Sequence, residues 1–264
     1  MSYDPALLAA PWNTLASGGT QSPYLLLPYH LDRLIEAANC HGWSSTRLSF
    51  DDLKRACDNA VLNATAALNS IDGAGAMKLR ILLAPSGALT VAASPASPLS
   101  FPDPVSASLM TSSLASQSLP DNIPSASELL IIHLDTEPTP STVFTRTKTT
   151  YRPQYSAARA RWNIPPLPAP SNVDALLFNT TGELTETSIR NIAFRRRSPP
   201  CWVTPRAETG CLPGTMRRLL LELGNVVEAR DGELSKESVR NGEYVLTFNG
   251  VEGCRLGRVA LGSS

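Results

Sequence analysis

From His30 to Ala38 the apolar residues Leu31, Leu34, Ile35 and Ala38 recur at the spacing of one helix face. A second stripe runs through Leu53, Ala56, Cys57, Ala60 and Val61 to about Leu68. It begins behind Ser49, which can cap, and Asp51 and Asp52, which favour a helix N-terminus. Tyr24 to Leu27 is a short apolar run broken by Pro28, and it predicts a short strand. Met77–Leu83 and Leu89–Ala93 flank Pro85-Ser86-Gly87 and predict a hairpin, with a further strand over Val105 to Met110. From Ser112 to Ser127 the chain turns to Ser, Pro, Ala and Asn, with no stripe that could pack.

The second half opens on Leu129-Leu130-Ile131-Ile132-His133-Leu134, the near-continuous apolar run of a buried strand. A helix is predicted over Tyr155–Trp162. Strands follow over Ala175–Asn179, Asn191–Phe194, Cys201–Val203 and Tyr244–Phe248. Another helix, Thr215–Leu223, ends at Gly224, a natural C′ residue. The expectation is an α/β chain of the α+β type: residues 1–118 form a small α/β domain, 119–127 a connection, and 128–264 a larger domain.

Composition narrows the partners. The 23 basic and 23 acidic residues cancel, so no basic excess points to nucleic acid or an anionic membrane. Arg195-Arg196-Arg197 is the one basic run and reads as a solvated strand end. No stretch approaches the length of a membrane span. The five cysteines are scattered without metal-like spacing, which fits reduced thiols and a cytoplasmic location. The three histidines lie far apart, so neither a metal site nor a histidine-based triad is expected.

Four lysines are present, and three look like surface or strand positions: Lys54, Lys78 and Lys236. Lys148 lies among Thr145, Thr147, Thr149 and Thr150, beside Arg146; an ammonium near arginines loses its proton more readily. On position alone a plain surface lysine remains the simpler reading. Glu186 sits among Thr185, Thr187, Ser188 and Asn191, which could orient a carboxylate between two strands; an N-capping acid in a turn fits the spacing as well. Gly214 and Thr215 open a helix whose N–H groups could meet a phosphate, although many ordinary helices begin in this way. Arg33 could pair with such a phosphate or simply be an exposed helix arginine. An amine, an acid and a helix start, in this order, are what pyridoxal phosphate requires.

Taken together these segments resemble the class IV aminotransferases, the fold-type IV pyridoxal-phosphate enzymes. The matching runs are Leu27-Pro28-Tyr29-His30-Leu31-Asp32-Arg33-Leu34, Lys148-Thr149-Thr150, Gly182 to Ile192, Trp202-Val203-Thr204-Pro205 and Gly210 to Arg217, in the family's order. The resemblance implies a small α/β domain and a larger one built on a barrel-like sheet, with the cofactor between them and a homodimer as the assembly. It implies Lys148 as the catalytic Schiff-base lysine and proton carrier, and Glu186 on the pyridine nitrogen. Arg33, Asn191, Gly214, Thr215, Thr247 and Asn249 would hold the cofactor and its phosphate, and Leu212 would pack on the ring.

Within the family, Arg152, four residues after Lys148, resembles the aminodeoxychorismate lyases, whereas branched-chain aminotransferases carry a tyrosine where this chain has Pro153. Trp12-Asn13-Thr14 stands where the family has a Phe-Glu-Thr segment. The resemblance therefore implies a lyase that converts 4-amino-4-deoxychorismate to 4-aminobenzoate and pyruvate for folate synthesis. Arg80, Arg146, Arg152 and Thr14 are its candidate contacts to a small-molecule amino substrate. An aminotransferase acting on D-amino acids or (R)-amines would use the same lysine and cofactor. A mere cofactor carrier would need no electron sink, which the pairing of Lys148 with Glu186 argues against.

Overall fold

Asn13, in the helix α1 (Pro11–Ala16), is fully buried, and three backbone groups of a loop converge on its side chain. Its Nδ2 donates to Ser22 O at 2.9 Å and Tyr24 O at 3.2 Å, and its Oδ1 accepts from Leu26 N at 3.0 Å. The loop therefore curls around the asparagine instead of extending. The strand expected over Tyr24–Leu27 shrinks to a single bridge between Tyr3 and Tyr24. Leu26 takes φ 56°, which ends the extended run, and Pro28 stands in the first turn of α2 (Leu27–Cys40). This description rests on a computed structural model and covers residues 1–43, 47–68, 75–99, 105–109 and 129–262.

The chain divides into two compact units, Met1–Pro104 with Gly250–Gly253, and Val105–Asn249 with Cys254–Ser264. In the first, α3 (Phe50–Ala67) starts as its residues require: Ser49 Oγ accepts from Asp52 N at 3.1 Å. Its buried stripe of Leu53, Cys57 and Val61 packs with Leu79 and Met77 of the sheet. That sheet joins β1 (Ser2–Tyr3), β2 (Met77–Leu83) and β3 (Leu89–Pro95), the last two forming the expected antiparallel hairpin. Burying each large side chain of such a stripe stabilises by about 1.5–3 kcal/mol.

In the second unit the strand expected over Val105–Met110 is instead a helical turn, α4 (Ser106–Leu109). Ser108 donates from both its backbone N and its Oγ to Val105 O, closing a turn where a strand would leave that carbonyl for a neighbour. The expected connection at 119–127 lies outside the described residues.

Eight strands follow in one sheet: β4 (Leu130–Leu134), β5 (Val173–Phe178), β6 (Leu184–Thr187), β7 (Asn191–Arg197), β8 (Pro200–Thr204), β9 (Val226–Glu228), β10 (Tyr244–Asn249) and β11 (Gly253–Val259). Their spatial order is β6-β5-β4-β11-β10-β7-β8-β9. Helices α5 (Val143–Arg146), α6 (Pro153–Arg161) and α7 (Thr215–Glu222) flank the strands.

The order forces the sheet to curl. In a flat sheet five strand spacings would part β6 from β7, roughly 24 Å. Only Ser188, Ile189 and Arg190 join Thr187 to Asn191, a reach of about 14 Å at most. The curled, barrel-like sheet expected of the larger domain is therefore a requirement of its own connectivity. Its core gathers Leu130, Ile132, Leu176, Phe178, Ile192, Phe194 and Val245 from successive strands.

Asn13→Ala should lower the stability of the first unit by about 2–3 kcal/mol, because it strands buried backbone donors and acceptors. Chemical denaturation followed by hydrogen exchange at Leu26 tests this. A change below ~0.5 kcal/mol would mean that solvent replaces these bonds without cost.

Candidate active site

Strand β6 carries four consecutive buried residues, Leu184 to Thr187, and the third is a carboxylate. Burial pushes the Glu186 carboxyl up to about 7, opposed by the Tyr155 hydroxyl, the Lys148 charge, the Leu212 N–H and the Arg152 charge. The Tyr155 hydroxyl donates to Glu186 Oε1 at 2.6 Å, and Leu212 N donates to the same oxygen at 3.4 Å. Both bonds fall on Oε1, so Oε2 has no donor among the described residues. A cavity of about 10 Å³ opens beside the carboxylate, lined in part by Thr139, Thr145, Thr185 and Thr209. Its size suits one water.

Lys148 follows α5, which the sequence builds from threonines. Thr142 caps its start, with Thr142 N donating to Thr145 Oγ1 at 3.0 Å and Phe144 N to Thr142 Oγ1 at 3.2 Å. Thr147 N reaches back to Val143 O at 3.0 Å and ends the turn. The lysine is exposed, yet close enough for its charge to favour the ionised Glu186. Arg146, the last residue of α5, is exposed too.

The third component is the loop from Gly210 to Gly214. Gly210 has φ 95°, and a Cβ there would stand 2.2 Å from Ser141 Oγ, so the loop lies directly on the segment that leads to α5. A Cβ on Gly214 would stand 2.1 Å from Asn191 Oδ1. The same asparagine donates from Nδ2 to Leu212 O at 2.8 Å. Asn191 thus fixes the loop just before α7 begins at Thr215, which is buried. In register, Phe248 of β10 lies opposite Asn191, and Thr247 opposite Ile192. The buried Thr247 hydroxyl donates to Arg255 O at 2.9 Å, and Asn249 ends the strand.

Of the expected site residues, Lys148, Glu186, Asn191, Leu212 and Gly214 are thus linked through one network, and Thr215 and Thr247 adjoin it. Arg152 turns inward: its guanidinium lies 4.4 Å above the Tyr155 ring and donates to Ser188 O at 2.5 Å. Arg33, Arg80 and Thr14 belong to the first unit. There Arg33 Nη2 lies 3.1 Å from His30 Nδ1, and burial lowers its guanidinium to about 10, still charged at neutral pH. Arg80 is exposed on β2 and Thr14 half-buried in α1.

Two groups escaped the sequence reading. Tyr155, on a helix the periodicity predicts, carries no motif that marks it. Asp174, fully buried in β5, accepts from Thr187 Oγ1 at 2.7 Å and from Ser188 N and Oγ at 3.1 and 2.5 Å. Arg159 of α6 lies 3.9 Å from Asp174 Oδ1 and donates to Ser188 Oγ at 3.0 Å. This anchors the turn that leaves Glu186. A lone aspartate opening an otherwise apolar strand was the available signal.

Known proteins resemble this chain in sequence and fold. A curated relative from Saccharomyces cerevisiae, named aminodeoxychorismate lyase, is 39% identical over 137 residues, covering 48% of this chain and 36% of that protein. Another from Schizosaccharomyces pombe, a candidate aminodeoxychorismate lyase by name, is 47% identical over 76 residues, covering 29% and 32%. The matches therefore span about a third of each relative's length. A solved structure of a candidate amino-acid aminotransferase from Mesorhizobium loti shares the fold at TM-score 0.60 and 24% identity, over 99% of this chain and 97% of that one. The family model for amino-transferase class IV matches residues 16–257, nearly the whole chain, and the protein is a member of that family.

Proposed function

We propose that this protein is a pyridoxal-phosphate-dependent lyase that splits 4-amino-4-deoxychorismate into 4-aminobenzoate and pyruvate. The observation that carries the chemical part is Glu186: a carboxylate buried in a strand, with Oε1 tied to two donors and Oε2 left for a ligand. Such a group suits a cationic ring nitrogen, because burial penalises its charge until a positive partner arrives. Lys148 beside it supplies the amine, and the Gly214-Thr215 start of α7 supplies backbone N–H groups for a phosphate. The residues present thus fit pyridoxal phosphate. When bound, the cofactor supplies an electron sink for the carbon next to the substrate nitrogen.

In this reading Lys148 tethers the cofactor and then moves the proton from the substrate ring carbon. Glu186 keeps the ring nitrogen protonated, and Asn191 holds the Leu212 backbone in place against the ring. Loss of the ring proton and departure of the enolpyruvyl group leave an aromatic ring, and the enol takes up a proton to become pyruvate. Arg146 and Arg152 supply positive charge on the Lys148 side for the substrate carboxylates. The names of the two yeast relatives support the lyase over a transaminase, and the position of Arg152 after Lys148 agrees with them.

Purified protein given 4-amino-4-deoxychorismate should release 4-aminobenzoate, and given D-alanine with 2-oxoglutarate should form little pyruvate. The opposite pattern would replace the lyase with a transaminase on the same lysine. Lys148→Ala should fold normally and lose turnover by several orders of magnitude, since tether and proton carrier vanish together. Borohydride should fix the cofactor to Lys148 in the wild type, and mass spectrometry of the labelled peptide would show if another lysine were used. Glu186→Gln should keep the cofactor and slow turnover by about 10²-fold or more, because a neutral amide no longer favours the protonated ring. Weaker cofactor binding with an unchanged rate per bound cofactor would make Glu186 a structural residue instead.

A further inference from the structure

The aromatic hydroxyl on α6 stands in a position that the function above does not use. Tyr155 is buried, and its hydroxyl reaches across from the helix to Glu186 Oε1 at 2.6 Å, the shortest bond that carboxylate makes. The ring is fixed on its other side by the Arg152 guanidinium, 4.4 Å above it, which is itself bonded to Ser188 O. Ser188 is in turn bonded to Asp174 and Arg159. Tyrosine, ring clamp and strand thus form one connected support under the carboxylate.

We propose that Tyr155 is the positioning residue of this site, holding Oε1 of Glu186 so that Oε2 alone faces the ligand and keeping the carboxylate ionised in its buried strand. The inference rests on the reading of Glu186 as the partner of the cofactor ring. A hydroxyl can only donate to an ionised carboxylate, so the bond favours the charged form and opposes burial. The Tyr155 hydroxyl itself is held well above its ordinary range by burial and by the neighbouring Glu186, and it remains a donor at every physiological pH. The other titratable or charged groups that face Glu186 are Lys148, Arg152 and Cys211. Lys148 and Arg152 also favour the ionised form. The Cys211 thiol is pushed up to about 12 by burial and stays neutral. Among the described residues Tyr155 is thus the neutral side chain that donates a hydrogen bond to Glu186, and its removal leaves the net charge around the carboxylate unchanged.

The direction of the pH effect follows. A carboxyl whose folded value lies above its unfolded one stabilises the fold below the unfolded value, and that contribution is lost as pH rises through the folded value, here about 7. Removing the Tyr155 hydroxyl should move the folded value higher still.

The test is Tyr155→Phe, which keeps the ring and its packing. The Glu186 titration is followed in the full-length protein without cofactor by carboxyl infrared or carbon-13 signals, assigned by their loss in Glu186→Gln. The midpoint should rise by about one pH unit, a tenfold gain in proton affinity. In the loaded enzyme kcat should fall about fivefold at neutral pH with KM little changed, since a midpoint moved from about 7 to about 8 cuts the ionised fraction by that factor, and the fall should shrink as pH rises. In the Glu186→Gln background Tyr155→Phe should have no such effect. An unmoved midpoint would overturn the proposal, because a purely structural tyrosine would leave the titration alone. A midpoint that moves while the rate does not would uphold Tyr155 as the support of Glu186 and overturn the cofactor role of Glu186.

Discussion

A charged group placed in a buried strand must be satisfied by its neighbours, and Glu186 sets the terms for everything around it. Burial alone would leave its carboxyl protonated near neutrality. The fold answers with a hydroxyl from α6, a backbone N–H from the 210–214 loop and the nearby charges of Lys148 and Arg152. They come from two stretches of chain, residues 148–155 and the 210–214 loop, both remote from β6 in the sequence. Their convergence surrounds one buried carboxylate with donors and positive charge, from residues that are unremarkable one at a time.

The same logic recurs one layer out. Asp174 is fully buried as well, and the hydroxyls of Thr187 and Ser188, a backbone N–H and Arg159 surround it. It holds the turn between β6 and β7, the place where sheet order and a three-residue connection together force the curl. Sheet shape and site geometry therefore share one hinge point. Asn13 does comparable work in the first unit, where one buried amide replaces the strand pairing that Tyr24–Leu27 would otherwise make.

Glycines at two positions let the loop come close enough to matter. At Gly210 the backbone conformation and the contact with Ser141 both exclude a side chain. At Gly214 the space belongs to Asn191, whose amide carries Leu212 into position. With either space filled, the Leu212 N–H would have to move away from the carboxylate it serves.

Much of this was legible in the letters. Ser49 followed by Asp51 and Asp52, and an apolar stripe spaced for a helix, depend only on neighbours within a few residues, and α3 formed as expected. The β2–β3 hairpin and the apolar run of β4 were equally local. The order of Lys148, Glu186 and the Gly214-Thr215 helix start was enough to suggest the chemistry, because those residue types must appear whatever positions them. Two strand expectations failed where side chains compete for the backbone, Asn13 for Tyr24–Leu27 and Ser108 for Val105. Tyr155 and Glu186 lie 31 positions apart, and Arg152 and Ser188 lie 36 apart. No periodicity encodes such pairs. The sequence by itself determined which chemical groups were available and which short segments would be helix or strand, since those depend on local sterics and hydrogen bonding. Only the tertiary structure decided which carboxylate is buried, which oxygen is held and which hydroxyl holds it, because burial and long-range contact exist only once the sheet has curled.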